Sequence, residues 1–166
     1  MSKAVLLSIR PEWCQKIISG EKKIEVRKTR PKLIPPFKCY IYCTLPKYPH
    51  EDFIATDYPR PQFYGGGKVI GEFTCNRVTN LFSNSRFWLD EDDVLHTCLS
   101  AAEMRKYANG ANGLYGWHIY NPRIYDHPRD LWEFTGLRQT RFGWEPVPIT
   151  RPPQSWRYVE EELWDG

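Results

Sequence analysis

Between Gly20 and Lys32 the chain reads GEKKIEVRKTRPK. Six of these residues are cations (Lys22, Lys23, Arg27, Lys28, Arg30 and Lys32), and the Glu25 carboxylate sits among them. Lys22, Glu25 and Arg27 fall within one short turn and strand. A lysine beside a carboxylate can serve as an acid–base pair or as a nucleophile with its base. The same groups, with an arginine, can hold a base and a phosphate without any reaction. The spacing predicts that Glu25 and Arg27 project into an open cleft, with Lys22 beside them, and that the cleft takes a phosphorylated or nucleobase-containing ligand. Two residues apart on one strand face, Glu25 and Arg27 can also form an ion pair with no further role.

Other side chains are candidate ligand contacts. Arg10 precedes a helix and lies near its positive end, where anions are held. Lys28 extends the basic run. Tyr42 shares a strand face with Lys38 and Tyr40, an arrangement that can stack bases. His118 stands beside Gly116, which leaves room for close approach. Glu72 is a secondary acid–base candidate. If the protein is an enzyme, Lys22 and Glu25 are the catalytic candidates. No metal and no cofactor are expected. Cys39 and Cys43 lie four strand rises apart, about 13 Å, too far to share one ion. The sequence has no CxxC or HxxxH pattern, and the acidic cluster Asp90–Asp93 lacks EF-hand spacing. The glycine run Gly65–Gly67 is not followed by the Lys-Ser/Thr of a phosphate loop.

The elements that must position these residues are short. Ala4–Ile9 reads as a strand. Pro11–Ser19 reads as a helix, with Pro11 in its first turn and Gly20 as a left-handed stop. Lys23–Lys28 alternates, Ile24 and Val26 on one side and Lys23, Glu25 and Arg27 on the other. Phe37–Thr44 and Lys68–Cys75 are strands, separated by a proline-rich loop at about 45–67 that has the length of a lid or binding loop. Residues 81–97 read as mixed structure whose acidic cluster is a solvated loop. Ser100 and Glu103 match a capping box for a helix over Ala101–Ala108. Leu114–Tyr120 is a strand, and Asp126 is expected to cap a short helix running from Pro128 to Phe134. Residues 135–154 read as irregular coil, and Trp156–Val159 as a last strand. This pattern predicts one mixed domain over 1–166, built on a small, strongly bent sheet or barrel.

Composition narrows the class. Aromatic residues make up 15% of the 166, which excludes a disordered chain. No apolar run reaches the roughly 18–20 residues that span a bilayer, and the N-terminus lacks a signal-peptide core. Five cysteines without framework spacing imply reduced thiols. A cytoplasmic protein is expected. Residues 1–50 hold 11 Lys/Arg against 3 Asp/Glu, whereas residues 51–166 hold 12 against 17. Such asymmetry fits a basic face turned to an anionic partner, or a basic half paired with an acidic half.

The motif Gly20-x-Lys22-x-x-Glu25-x-Arg27, directly after a helix begun by Ile9-x-Pro11, resembles the signature of the ASCH-domain family. YIYCT (Tyr40–Thr44), GKVIGEFTC (Gly67–Cys75), YGWHI (Tyr115–Ile119), IYDHP (Ile124–Pro128) and PPQSWRYVEE (Pro152–Glu161) look like stretches of small ASCH proteins of bacteria and phages. The resemblance implies an α+β fold, a PUA-like β-barrel with two main flanking helices. It also implies a cleft lined by Lys22, Glu25 and Arg27, and a role with RNA or nucleotide-like ligands. Some members of the family are amidohydrolases of acetylated cytidine, others ribonucleases. The amidohydrolases use a Lys and a Thr here plus a separate Glu; Lys22 matches the Lys, but Glu25 stands in place of the Thr. Three readings follow. The first is a module binding RNA, single strands or nucleotides. The second is a small metal-independent hydrolase of a modified nucleoside or of RNA. The third is a phage accessory protein that binds a host protein.

Overall fold

In the computed structural model, residues 2–47, 53–54, 63–83, 86–87, 91–111 and 113–163 are described. Eleven strands occur among them: β1 Lys3–Ile9, β2 Ile24–Arg27, β3 Phe37–Cys43, β4 Phe53–Ile54, β5 Phe63–Tyr64, β6 Lys68–Ser83, β7 Arg86–Phe87, β8 Gly113–Arg129, β9 Thr135–Thr140, β10 Gly143–Pro148 and β11 Trp156–Glu160. Helices α1 (Pro11–Ile18), α2 (Glu91–Thr97) and α3 (Ala101–Ala108) and a 3-10 turn at Leu131–Glu133 accompany them.

One sheet runs β10-β9-β11-β1-β3-β6-β8-β2, with β7 on β6, while β4 and β5 pair with each other. Only the β1–β3 pairing is parallel among the described ladders. Both central strands are buried on both faces, which is why β1 reads as an unbroken apolar run. Val5, Leu7 and Ile9 join Phe37, Cys39, Ile41 and Cys43 in one core with Cys14, Ile17 and Trp117. Ala4 and Leu6 join Tyr40 and Tyr42 in a second core on the other face. A third cluster packs Val26, Leu81 and Leu114 against Met104 and Ala108 of α3.

The sheet bends because its two longest strands are repeatedly bulged. The β6–β8 ladder changes register at four places, and each bulge adds a kink and extra twist. β2 and β10, at the two ends of the order, do not pair in the described ladders. The barrel is therefore a curled sheet and is not hydrogen-bonded all the way round. The α+β architecture built on a strongly bent sheet, expected from the sequence, is present, with three helices among the described residues where two main ones were expected.

Several local expectations hold. Pro11 occupies the first turn of α1, and Gly20 takes φ +82° after it. The capping box forms, with the Ser100 hydroxyl accepting from the Glu103 N–H at 3.1 Å. Others are corrected. Glu91, Asp92 and Asp93 form the first turn of α2, where carboxylates meet the positive helix end; Asp90 lies outside the described residues. The segment expected to be a helix from Pro128 continues β8 as far as Arg129. Only a 3-10 turn follows, capped by Asp130 in place of Asp126. The expected coil at 135–154 contains the hairpin of β9 and β10. Pro146 and Pro148 hid that strand, and they are tolerated because β10 is an edge. Most of the expected loop at 45–67 lies outside the described residues.

All five cysteines are free, four of them buried and Cys98 partly exposed. Burial pushes the Cys14 and Cys39 thiols well above their usual range, and Cys75 up to about 11. Thiolate formation controls reactivity. In the folded protein a thiol reagent should therefore modify Cys98 first and the other four only on unfolding. Peptide mapping after brief labelling checks this, and rapid labelling of Cys14 would contradict the packing.

Candidate functional site

The turn between α1 and β2 delivers the motif. The Lys22 N–H donates to the Lys16 carbonyl at 3.0 Å, and Glu21 pairs with Lys16 at 3.5 Å. β2 then sets Ile24 and Val26 toward the α2–α3 side and Glu25 and Arg27 toward the main core. Strand alternation thus places the two charged groups as expected.

Their surroundings differ from the expected open cleft. Lys22, Glu25 and Arg27 are 3%, 6% and 6% exposed. The Lys22 ammonium donates to the Thr97 carbonyl at 2.6 Å and lies 3.8 Å from Glu25 Oε2 and 5.1 Å from the centre of the Trp13 ring. Arg27 spends its whole guanidinium on the protein. Nε donates to Glu25 Oε1 at 3.1 Å, and Nη2 donates to the Ser8 carbonyl at 2.8 Å. Nη1 donates to both the carbonyl and the hydroxyl of Ser155 at 3.2 Å. Ser8 lies near the end of β1 and Ser155 precedes β11, so Arg27 reaches from the edge strand β2 across the bent sheet to its middle. The motif is a buried network that ties the curled sheet together. Its charges are internal because strand pairing alone leaves that gap.

One oxygen in the network accepts no hydrogen bond from the described residues. Glu25 Oε2 is buried and has no hydrogen-bond partner among the described residues; at 3.8 Å the Lys22 ammonium is beyond a normal hydrogen bond. Carboxylates in such places ordinarily accept two or more bonds. Tyr107 of α3 lies within the field of Arg27 and Glu25. Burial raises its phenol, with Arg27 acting against that shift and Glu25 with it.

The other sequence-selected residues divide. Arg10 and Lys28 are exposed near the network, and the Lys28 ammonium lies 5.1 Å from the centre of the Tyr107 ring. Tyr42 does not reach the network. It is buried in the second core, on the opposite face of the sheet, where it packs against protein. His118 is also directed away, because it pairs in register with Ile24 while Trp117 pairs with Glu25. Its Nε2 lies 3.0 Å from the Thr79 hydroxyl, and burial first, then Arg77, lowers its pKa. Glu72 is an ion-pair partner of Lys38 at 3.2 Å and Arg123 at 3.1 Å on the second-core face. Sequence reasoning missed Thr97, Ser8 and Ser155. Each contributes a backbone carbonyl, which leaves no signal in residue type, and Ser155 adds its hydroxyl. Among the described residues no group of three or more His, Cys, Asp or Glu side chains could hold a metal ion. No helix among them is long and apolar enough to cross a membrane.

The curled sheet with its flanking helices has the fold of solved ASCH-domain structures. Three solved structures of the ASCH protein from Zymomonas mobilis share it. One single-substitution variant is 17% identical with TM-score 0.57, covering 95% of this chain and 91% of that one. The unsubstituted protein is 18% identical with TM-score 0.56, covering 95% and 88%. A second variant is 17% identical with TM-score 0.53, covering 95% and 89%. No protein-family model and no curated protein sequence matches the chain.

Proposed function

We propose that the protein binds RNA or single-stranded nucleic acid, or a nucleotide derived from it, around Lys22, Glu25 and Arg27, with Arg10 and Lys28 at the rim. The observation that carries this reading is the open acceptor on Glu25 Oε2. A buried carboxylate oxygen with no donor is matched by the N–H edge of a nucleobase. Buried polar groups are costly unless bonded, so a ligand supplying that N–H gains more here than at the surface. The exposed cations around the network, Arg10, Lys23, Lys28 and Arg30, suit the attached phosphates. Trp13, 5.1 Å from the Lys22 ammonium, and Tyr107, 5.1 Å from the Lys28 ammonium, offer rings that could stack on bases.

Fluorescence anisotropy with labelled single-stranded RNA, at several salt concentrations, tests this. Affinity should fall steeply with salt, because phosphate contacts release counterions. A flat salt dependence would remove the nucleic-acid reading and leave a neutral ligand. The competing reading is a metal-independent hydrolase with Lys22 and Glu25 as the acid–base pair, and it rests on the 3.8 Å between them. Turnover of acetylated cytidine or RNA by the wild type but not by Lys22→Ala would put that reading in place of simple binding. Retained binding without turnover is the expected result.

A further inference from the structure

A second feature lies beside Ser155, a residue that accepts from Arg27. A hollow of about 710 Å³ is walled by Leu137 and by residues on both sides of Ser155, including Arg151, Gln154, Trp156, Arg157 and Tyr158. Arg151 is exposed. Arg157 Nε is buried with no hydrogen-bond partner among the described residues, and its guanidinium occupies the space that a Cβ on Gly136 would need. This wall therefore carries two guanidinium groups, one with an unused donor. Trp156 and Tyr158 share a side of β11 and meet edge to face, with ring centres 5.2 Å apart at 90°. Both rings are partly exposed.

The hollow adjoins the motif at Ser155. That residue stands between Gln154 and Trp156 of the hollow, and it accepts two hydrogen bonds from Arg27. The Pro153 carbonyl in the same wall accepts from the Ser8 hydroxyl at 2.6 Å. One strap of chain thus forms a boundary of both places. Cations that follow a backbone, with rings that can stack on bases, are what single-strand binders use to track successive nucleotides.

We infer that the ligand is an oligonucleotide strand, with one nucleotide at Glu25 and its neighbour along the strand seated in the Arg151–Tyr158 hollow. This rests on the reading of the motif given above and deepens it, by distinguishing a strand from a free nucleoside. The charge of the hollow matches a phosphodiester, and a single mononucleotide cannot occupy both places.

The test uses the full chain, the 5′-monophosphates of the four ribonucleosides, and homopentamers of each in ribo and deoxyribo form. Calorimetric titration should show at least one pentamer binding about tenfold or more tighter than its monophosphate, the gain expected for one added stacked base. Arg151→Glu should abolish that gain; because Arg151 is exposed, circular dichroism should show the fold unchanged. Arg157→Gln is a second variant with the same expectation. A monophosphate that binds as tightly as its pentamer would overturn this inference and leave the motif reading intact. Binding of neither would overturn the motif reading itself. A pentamer gain that survives both Arg151→Glu and Arg157→Gln would place the neighbouring nucleotide elsewhere and overturn the assignment of the hollow. The ribo and deoxyribo arms identify which strand is taken.

Discussion

Glu25→Ala is expected to lower folding stability by about 3–5 kcal/mol, the range for removing one partner of a buried ion pair. The loss is large because two cations depend on this carboxylate. Arg27 Nε would lose its acceptor, and the Lys22 ammonium would keep the Thr97 carbonyl and the Trp13 ring but no counter-charge among the described residues. Both remain buried, so water cannot replace the lost carboxylate. Glu25→Gln should cost less, since its amide oxygen can still face Arg27. Urea denaturation followed by circular dichroism measures both. A Glu25→Ala protein within about 0.5 kcal/mol of wild type, the scatter of ordinary surface substitutions, would show that the network does not hold the sheet. By the same geometry Arg27→Glu should unfold the protein, not merely weaken binding, because four hydrogen bonds converge on that guanidinium.

Trp117→Ala should destabilise by a similar amount, about 3–5 kcal/mol, through a different cause, the cavity left by a large buried ring. Trp117 is fully buried. Its ring meets Phe37 at 5.9 Å and Trp156 at 5.8 Å, both edge on. Its Nε1–H donates to the Thr29 carbonyl at 3.3 Å, while the Trp156 Nε1–H donates to the Thr29 hydroxyl at 2.9 Å. Truncation therefore opens the main core and frees the connector after β2 at once. Trp117→Phe keeps most of the packing and loses the indole donor, so the difference between the two variants separates packing from the hydrogen bond. Equal losses would show that the Thr29 contact dominates.

Much of this was readable from residue types. Ile24, Val26, Glu25 and Arg27 alternate, and alternation alone assigns their faces. Ser100 and Glu103 announce the cap of α3 because the bonds that form it are local. What escaped was set by partners distant in the chain. A charged face ordinarily signals solvent, yet Glu25 and Arg27 turn inward because Ser8 and Ser155 supply backbone carbonyls there. Tyr42 looked available for stacking because its strand alternates, but β3 is covered on both faces. The β9–β10 hairpin was masked by Pro146 and Pro148, which mark a coil unless the strand is known to be an edge.

The tie from Arg27 to Ser155 has a consequence for the order of events during synthesis. Lys3 pairs with Glu160, and Ser155 supplies two of the acceptors for Arg27. When the α1–β2 segment leaves the ribosome, its arginine has no such partner, and the strap that supplies one emerges more than a hundred residues later. Contacts this remote in sequence slow folding, since a long loop must close before they form. The basic segment therefore spends translation without its final partners. The buried network around Glu25 and Arg27 is complete only once the strand after Ser155 docks beside β1.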